Sequence, residues 1–213
     1  MNHVYHDAAV CLMAGQPKCK TDNARRILIL LCAMGGWSAA TDARSEQNTD
    51  IETRPAAINA CALLSPAAIS EATGFPADAG ARRDSGYESN GSYSSTCVWM
   101  LEREISSFDR RAALGGRSFV ILNVMRWPKD SGLADTFLRA FHDAAATGEI
   151  PNEPTSRDFG DAALWWGDGL AVRKGDVSFG ISVVIPGVHA DHPGEIEGRL
   201  APEILRNLEH PAE

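Results

Sequence analysis

Val177-Ser178-Phe179-Gly180-Ile181-Ser182-Val183-Val184-Ile185 is the stretch that decides the fold. Val177, Phe179, Ile181, Val183 and Ile185 alternate with Ser178, Gly180 and Ser182. A period of two puts one set on each face of a strand, apolar on one side and small or polar on the other. That pattern predicts an antiparallel strand half-buried against a core. Working back toward the N-terminus, residues 163–166 and 170–174 read as two more short strands. Gly167-Asp168-Gly169 and Lys174-Gly175-Asp176 supply the turn chemistry between them, so the three strands form a meander.

Further out, Phe119, Val120, Ile121, Leu122 and Val124 cover both faces of residues 117–126, which predicts a central strand. Residues 96–101 add another, with Cys97, Trp99 and Leu101 on one face. Residues 77–95 are rich in Gly, Ser, Asp and Asn and read as a loop with room for a short strand. Three helices complete the pattern. Ser65 caps the first, Pro66 suits its first position, and Gly74 and Pro76 stop it. Asp130-Ser131 opens the second, whose apolar stripe is Leu133, Phe137, Leu138, Phe141 and Ala145, and Gly148 ends it. Residues 149–161 read as a loop. Asp191 and His192 start the third helix with Pro193 in its first turn. It carries Ile196, Leu200, Ile204 and Leu208, and Pro202 is expected to kink or restart it. The expectation is therefore an α+β domain over residues 56–210, an antiparallel sheet of about five to six strands packed with three helices.

The N-terminus carries an address. Lys18, Lys20, Arg25 and Arg26 precede an uncharged apolar run at residues 27–40, which is too short for a bilayer span of ~20 residues. A basic stretch, a short apolar run and small residues form a secretory signal pattern, with cleavage after Ala40 or Ala43 and Met13 as an alternative start. Residues 1–43 then form a signal peptide and residues 44–55 a flexible polar leader. Leu31 precedes Cys32, where a lipidation signal takes Gly, Ala or Ser, which argues against a lipid anchor. The expected location is periplasmic or secreted, with no transmembrane span in the mature chain. The full chain of 213 residues has a net charge of −8 from 20 Lys plus Arg against 28 Asp plus Glu. Removing residues 1–43 takes four basic and three acidic residues, leaving −9. An acidic balance argues against a nucleic-acid partner, which needs a basic face. Cys61 and Cys97 remain after cleavage, as a bridged pair or as two buried thiols.

Four segments together carry a resemblance. Asn59-Ala60-Cys61-Ala62-Leu63-Leu64-Ser65-Pro66-Ala67 opens the domain and Cys97-Val98-Trp99 lies on a strand. Phe159-Gly160-Asp161-Ala162-Ala163-Leu164-Trp165 and the hairpin Leu170-Ala171-Val172-Arg173-Lys174-Gly175-Asp176 follow. Over roughly residues 58–208 the chain resembles a family of small bacterial secreted and lipoprotein domains of unknown function. These open with Cys-x-Leu-Leu and a helix, place a second Cys in a strand and carry a later Leu-Gly-Asp-x-Ala turn. Here Phe159 stands where Leu is commoner. The resemblance implies a disulfide between Cys61 and Cys97 and a fold similar to the PsbP-type α/β sandwich. It implies no reaction.

Candidate sites come from local chemistry. Trp165 and Trp166 face opposite sides of a strand, so one of them, with Asp168 and Arg173 near it, offers a stacking surface for a sugar, peptide or aromatic ligand. His189, Asp191 and His192 place three potential metal ligands in four residues, but no further ligand is identifiable, so no metal is expected. No Gly-x-Ser-x-Gly elbow is present. Gly115-Gly116-Arg117 precedes a strand, which is the wrong setting for a phosphate loop. Arg82-Arg83 and Arg110-Arg111 read as solvated charges. No catalytic residue and no cofactor are assigned. The function these features favour is an exported, non-enzymatic module that binds an envelope component, a protein partner or a small ligand. The alternative is an envelope hydrolase with an unrecognised carboxylate or His site, and a weaker one is a ligand carrier using either Trp.

Overall fold

The strand at 177–185 sits near the middle of the sheet. The computed structural model describes residues 54–102, 117–186 and 194–210. The segment expected as a signal peptide, most of the expected leader, and the segment carrying His189, Asp191 and His192 lie outside them. The strands are β1 (Ala81–Tyr87), β2 (Tyr93–Met100), β3 (Phe119–Arg126), β4 (Thr155–Arg157), β5 (Ala162–Trp165), β6 (Leu170–Lys174) and β7 (Val177–Val184). They form one antiparallel sheet in the order β1-β2-β3-β7-β6-β5-β4. The helices are α1 (Pro66–Thr73), α2 (Leu133–Ala146) and α3 (Glu195–Glu209), and a 3-10 turn spans Ala60–Ala62.

Alternation decides which face each side chain takes. Leu122 pairs with Ile181 and Val124 with Phe179, and all four are fully buried on one face. That face also holds Cys97, Trp99, Leu170 and Val172, and is covered by Ile69 and Ala72 of α1 and Leu200, Ala201 and Ile204 of α3. The other face, lined by Met125, Leu164 and Ala171, is covered by Phe137, Phe141 and Ala144 of α2. The sheet is thus sandwiched between helices, and burying both faces removes enough apolar area from water to sustain a core.

The sheet has seven strands, more than the five to six expected. Both edges differ from the sequence reading: β1 takes up the room for a short strand within residues 77–95, and β4 is added within residues 149–161, read as a loop. β1 is Ala-Arg-Arg-Asp-Ser-Gly-Tyr and almost wholly exposed, and β4 is three exposed residues. Edge strands gain their ladder bonds without burying a face, so apolar alternation does not mark them. Charges and the register shift between Asp84 and Gly86 also blunt β1 as a template for another strand.

The helix ends follow the sequence in part. Ser65 Oγ accepts the Ala68 N–H, and Gly74 closes α1 at φ 77°. α2 starts differently from the expected Asp130-Ser131 cap. Gly132 is the N-cap residue, in the left-handed region, and makes no side-chain cap bond, while Ser131 Oγ accepts the Leu133 N–H at 3.3 Å. α3 starts at Glu195 behind Gly194 rather than at Asp191 or His192. It also runs on through Pro202 instead of restarting there. Pro202 is exposed and removes the one bond that the Gly198 carbonyl would accept, while Leu200, Ala201 and Ile204 hold the helix to the core on the opposite side.

Two local devices pin the topology. The disulfide Cys61–Cys97 joins the 3-10 turn to β2, with Cα atoms 5.1 Å apart. The Phe-Gly-Asp stretch closes the β6–β7 turn. The Asp161 N–H donates to the Arg173 carbonyl at 2.8 Å, and Asp161 Oδ2 accepts the Gly175 N–H at 2.7 Å. Gly160 has φ 59°, and a Cβ there would lie 2.5 Å from the Arg173 carbonyl oxygen, so only glycine fits.

Candidate functional site

The residues singled out in the sequence separate across the sheet. Trp166 is 1% exposed and stacks on Phe141 with ring centroids 4.8 Å apart, inside the core under α2. Among the described residues its buried Nε1–H has no partner. Trp165 is half-buried against the other core, where α3 begins on its ring. A Cβ at Gly194 would lie 2.8 Å from Trp165 Cε3. Asp168 is exposed in the β5–β6 turn. Arg173 sits at the other end of that hairpin, since Trp165 pairs with Leu170 and Ala162 with Arg173. The three-residue offset is about 10 Å of strand. The arrangement brings the turn and the two Trp residues to one end, and leaves Arg173 at the other.

Arg173 serves a different purpose. Its Nε lies 3.2 Å from Asp135 Oδ1 of α2 and its Nη1 3.8 Å from Asp161 Oδ2. Lys174 Nζ lies 3.8 Å from Asp161 Oδ1 and 3.5 Å from Glu209 Oε1 of α3. Neighbouring basic residues of β6 thus bridge to the helices on opposite faces. These groups are partly exposed, so each pair adds little stability singly and mainly fixes orientation.

A second polar cluster lies at the β1 edge, where the sequence suggested only solvated arginines. Asp84 is paired with Arg82, accepts from Ser95 Oγ at 2.6 Å, and accepts from Tyr93 Oη at 3.2 Å. Ser95 Oγ in turn accepts the Ala60 N–H at 3.0 Å, beside the disulfide. Burial on its own would raise the Asp84 carboxyl. The hydrogen bonds from Arg82 and Ser95, the Arg82 charge and the Tyr93 hydroxyl outweigh it, and hold the group below the ordinary carboxylate range. The Arg82 guanidinium is raised in return, chiefly by its hydrogen bond to Asp84. A carboxylate this fully engaged positions the turn before α1. Arg82 and Asp84 lie on one face of β1 because they are two residues apart, and that spacing is the only sequence signal for the pair.

Glu197 is the third group, and it is buried at 5% exposure. Its Oε1 accepts the Val183 N–H at 3.0 Å. Burial, opposed by hydrogen bonds from its own backbone N–H and that of Val183, pushes its carboxyl up to about 6. A signal existed in the sequence, because Glu197 precedes Ala201, Ile204 and Leu208 on the inward stripe of α3.

The exposed pair His142 Nδ1–Glu153 Oε1, 2.6 Å apart, ties α2 to the loop after it. Among the described residues no three His, Cys, Asp or Glu side chains are grouped to hold a metal ion, and no helix is long and apolar enough to cross a membrane. Comparisons with protein-family models, with curated proteins and with solved structures return no match to this chain.

Proposed function

We propose that this chain is an exported, non-enzymatic binding module of the bacterial envelope or extracellular space, within the family of small secreted domains it resembles and with their PsbP-type sandwich. The observation that carries the reading is the Cys61–Cys97 disulfide, which joins the first turn of the domain to a fully buried position on β2. Structural disulfides persist in oxidising compartments, and the basic-then-apolar N-terminal pattern supplies the route to one. Further support comes from the way the polar clusters are used. Arg82, Asp84, Tyr93 and Ser95 hold an edge strand to the N-terminal turn, and Arg173, Lys174 and Asp161 hold β6 to its neighbours. The partner is an envelope component, another protein or a small ligand.

The test is the intact mass of the chain recovered from an exporting host, with and without reduction. Cleavage near Ala40 or Ala43 and a gain of two hydrogens on reduction are the expected results. An uncleaved chain with free thiols overturns the address. Hydrolysis of an ester, peptide or glycan, lost on a single Asp, Glu, His or Ser change, overturns the non-enzymatic reading and restores the envelope hydrolase.

A further inference from the structure

Glu197 stands where a strand would otherwise be. β6 enters the ladder at Leu170 opposite Ile181, so beyond Ile181 the flank of β7 turned away from β3 has no strand beside it among the described residues. The Val183 N–H opens onto that flank, and the carboxylate of Glu197 from the first turn of α3 accepts it. Among the described residues no cation pairs with Glu197. On α3 its charged neighbours Glu195 and Arg199 are exposed, and Glu203 is turned to Ser65, whose N–H and hydroxyl it accepts. β7 carries no titratable side chain, the β5–β6 turn offers only the exposed Asp168, α1 only the exposed Glu71, and Arg173 and Lys174 of β6 are paired with Asp135, Asp161 and Glu209.

We propose that Glu197 makes the seating of α3 on the sheet acid-responsive, so that the helix is held more tightly in mildly acidic medium than at neutral pH. A buried carboxylate with no counter-charge among the described residues lacks most of its hydration. Protonation removes that charge, and the carbonyl oxygen still accepts the Val183 N–H. The group is raised from 4.5 to about 6 in the folded chain. Its contribution is therefore complete below 4.5 and is lost as pH rises through about 6.

Hydrogen exchange of the amides of Val183 and residues 195–201, corrected for intrinsic rates, tests this between pH 4.5 and 7.5 on the full chain. The opening equilibrium is expected to rise by about 15-fold across that window, since half of the full power of ten for that displacement is gained there once the unfolded group is half ionised at its lower end. In Glu197→Gln it is expected to be flat. Equal pH slopes in the two proteins overturn the proposal. A carboxyl-carbon NMR titration of Glu197 in the unmodified chain decides it independently of the variant. A midpoint near 6 supports the proposal, and one at or below the ordinary glutamate value overturns it.

Discussion

Reducing the Cys61–Cys97 bridge isolates one term in the stability of this domain. Both sulfurs stay in place on reduction, so no side-chain volume is removed from the site around the fully buried Cys97. What changes is the freedom of the unfolded chain. The bridged residues are 36 apart in sequence. Releasing a loop of that length gives the unfolded state about 4 kcal/mol at 25 °C on the chain-entropy account. A domain of this size loses roughly 2–4 °C of Tm for each kcal/mol, so reduction should lower Tm by about 8–16 °C. The assay is urea unfolding with and without a phosphine reductant, with mass spectrometry confirming the thiol state. Extrapolated free energies must be compared rather than midpoints, because the bridge also compacts the unfolded chain and changes the urea dependence. A Cys61→Ala, Cys97→Ala double variant should be indifferent to reductant. A loss below about 1 kcal/mol on reduction would refute the reasoning, and would mean that the unfolded chain already holds these ends together.

Three other changes follow from the packing and turns. Trp166→Ala removes a fully buried ring stacked on Phe141 and should cost about 3–5 kcal/mol in urea unfolding. Gly160→Ala forces a side chain into the left-handed region and against the Arg173 carbonyl, and should cost at least about 1–3 kcal/mol. The neighbouring Asp161–Gly175 bond should open with it, read as faster amide exchange at Gly175. Asp84→Asn should destabilise most at neutral pH. The Asp84 carboxyl is depressed in the folded chain, so its contribution is present above the unfolded carboxylate range and is lost as pH falls through its folded value. The difference between variant and parent should therefore shrink in acid, and thermal unfolding across the acidic range checks it.

The sheet was legible wherever burial imposed a period. β7 alternates Val, Phe and Ile with Ser and Gly because the large side chains fill the core under α1 and α3; Ser178, Gly180 and Ser182 are buried as well, so the strand is covered on both faces rather than half-buried, while the stripe of α2 follows the same logic at helical spacing. β1 and β4 left no such trace, because hydrogen bonding to a neighbour selects no side-chain pattern at an open edge. The helix does not restart at Pro202: the local rule weighs a lost hydrogen bond, while the anchorage of Leu200 and Ile204 is tertiary. Among the candidate residues, adjacency of Trp165 and Trp166 did announce opposite faces, but which one lay deep depended on α2 arriving over the second. Arg82 and Arg83 read as solvated charges and both are exposed, but the Asp84 network beside them was hidden because nothing local shows Tyr93 and Ser95 across the ladder. Glu197 stands at helical spacing before Ala201, Ile204 and Leu208, and that spacing is present in the sequence without any fold.

The crossing of α2 from β3 to the far edge of the sheet has a kinetic consequence. Within β1–β2–β3 and within β4–β5–β6–β7 each strand pairs with its neighbour in sequence, but the seam between them joins Phe119 to Val184 and Arg126 to Val177, partners 65 and 51 residues apart. Local hairpins close quickly, whereas such distant pairing carries the larger loop-closure entropy and forms late. Both cysteines precede β3, so in a chain threaded N-terminus first through a membrane the cross-link can close while the C-terminal half is still in transit. The bridge then acts as a clamp on the early half, which waits as an open sheet with the β3 edge bare until β7 arrives to complete it.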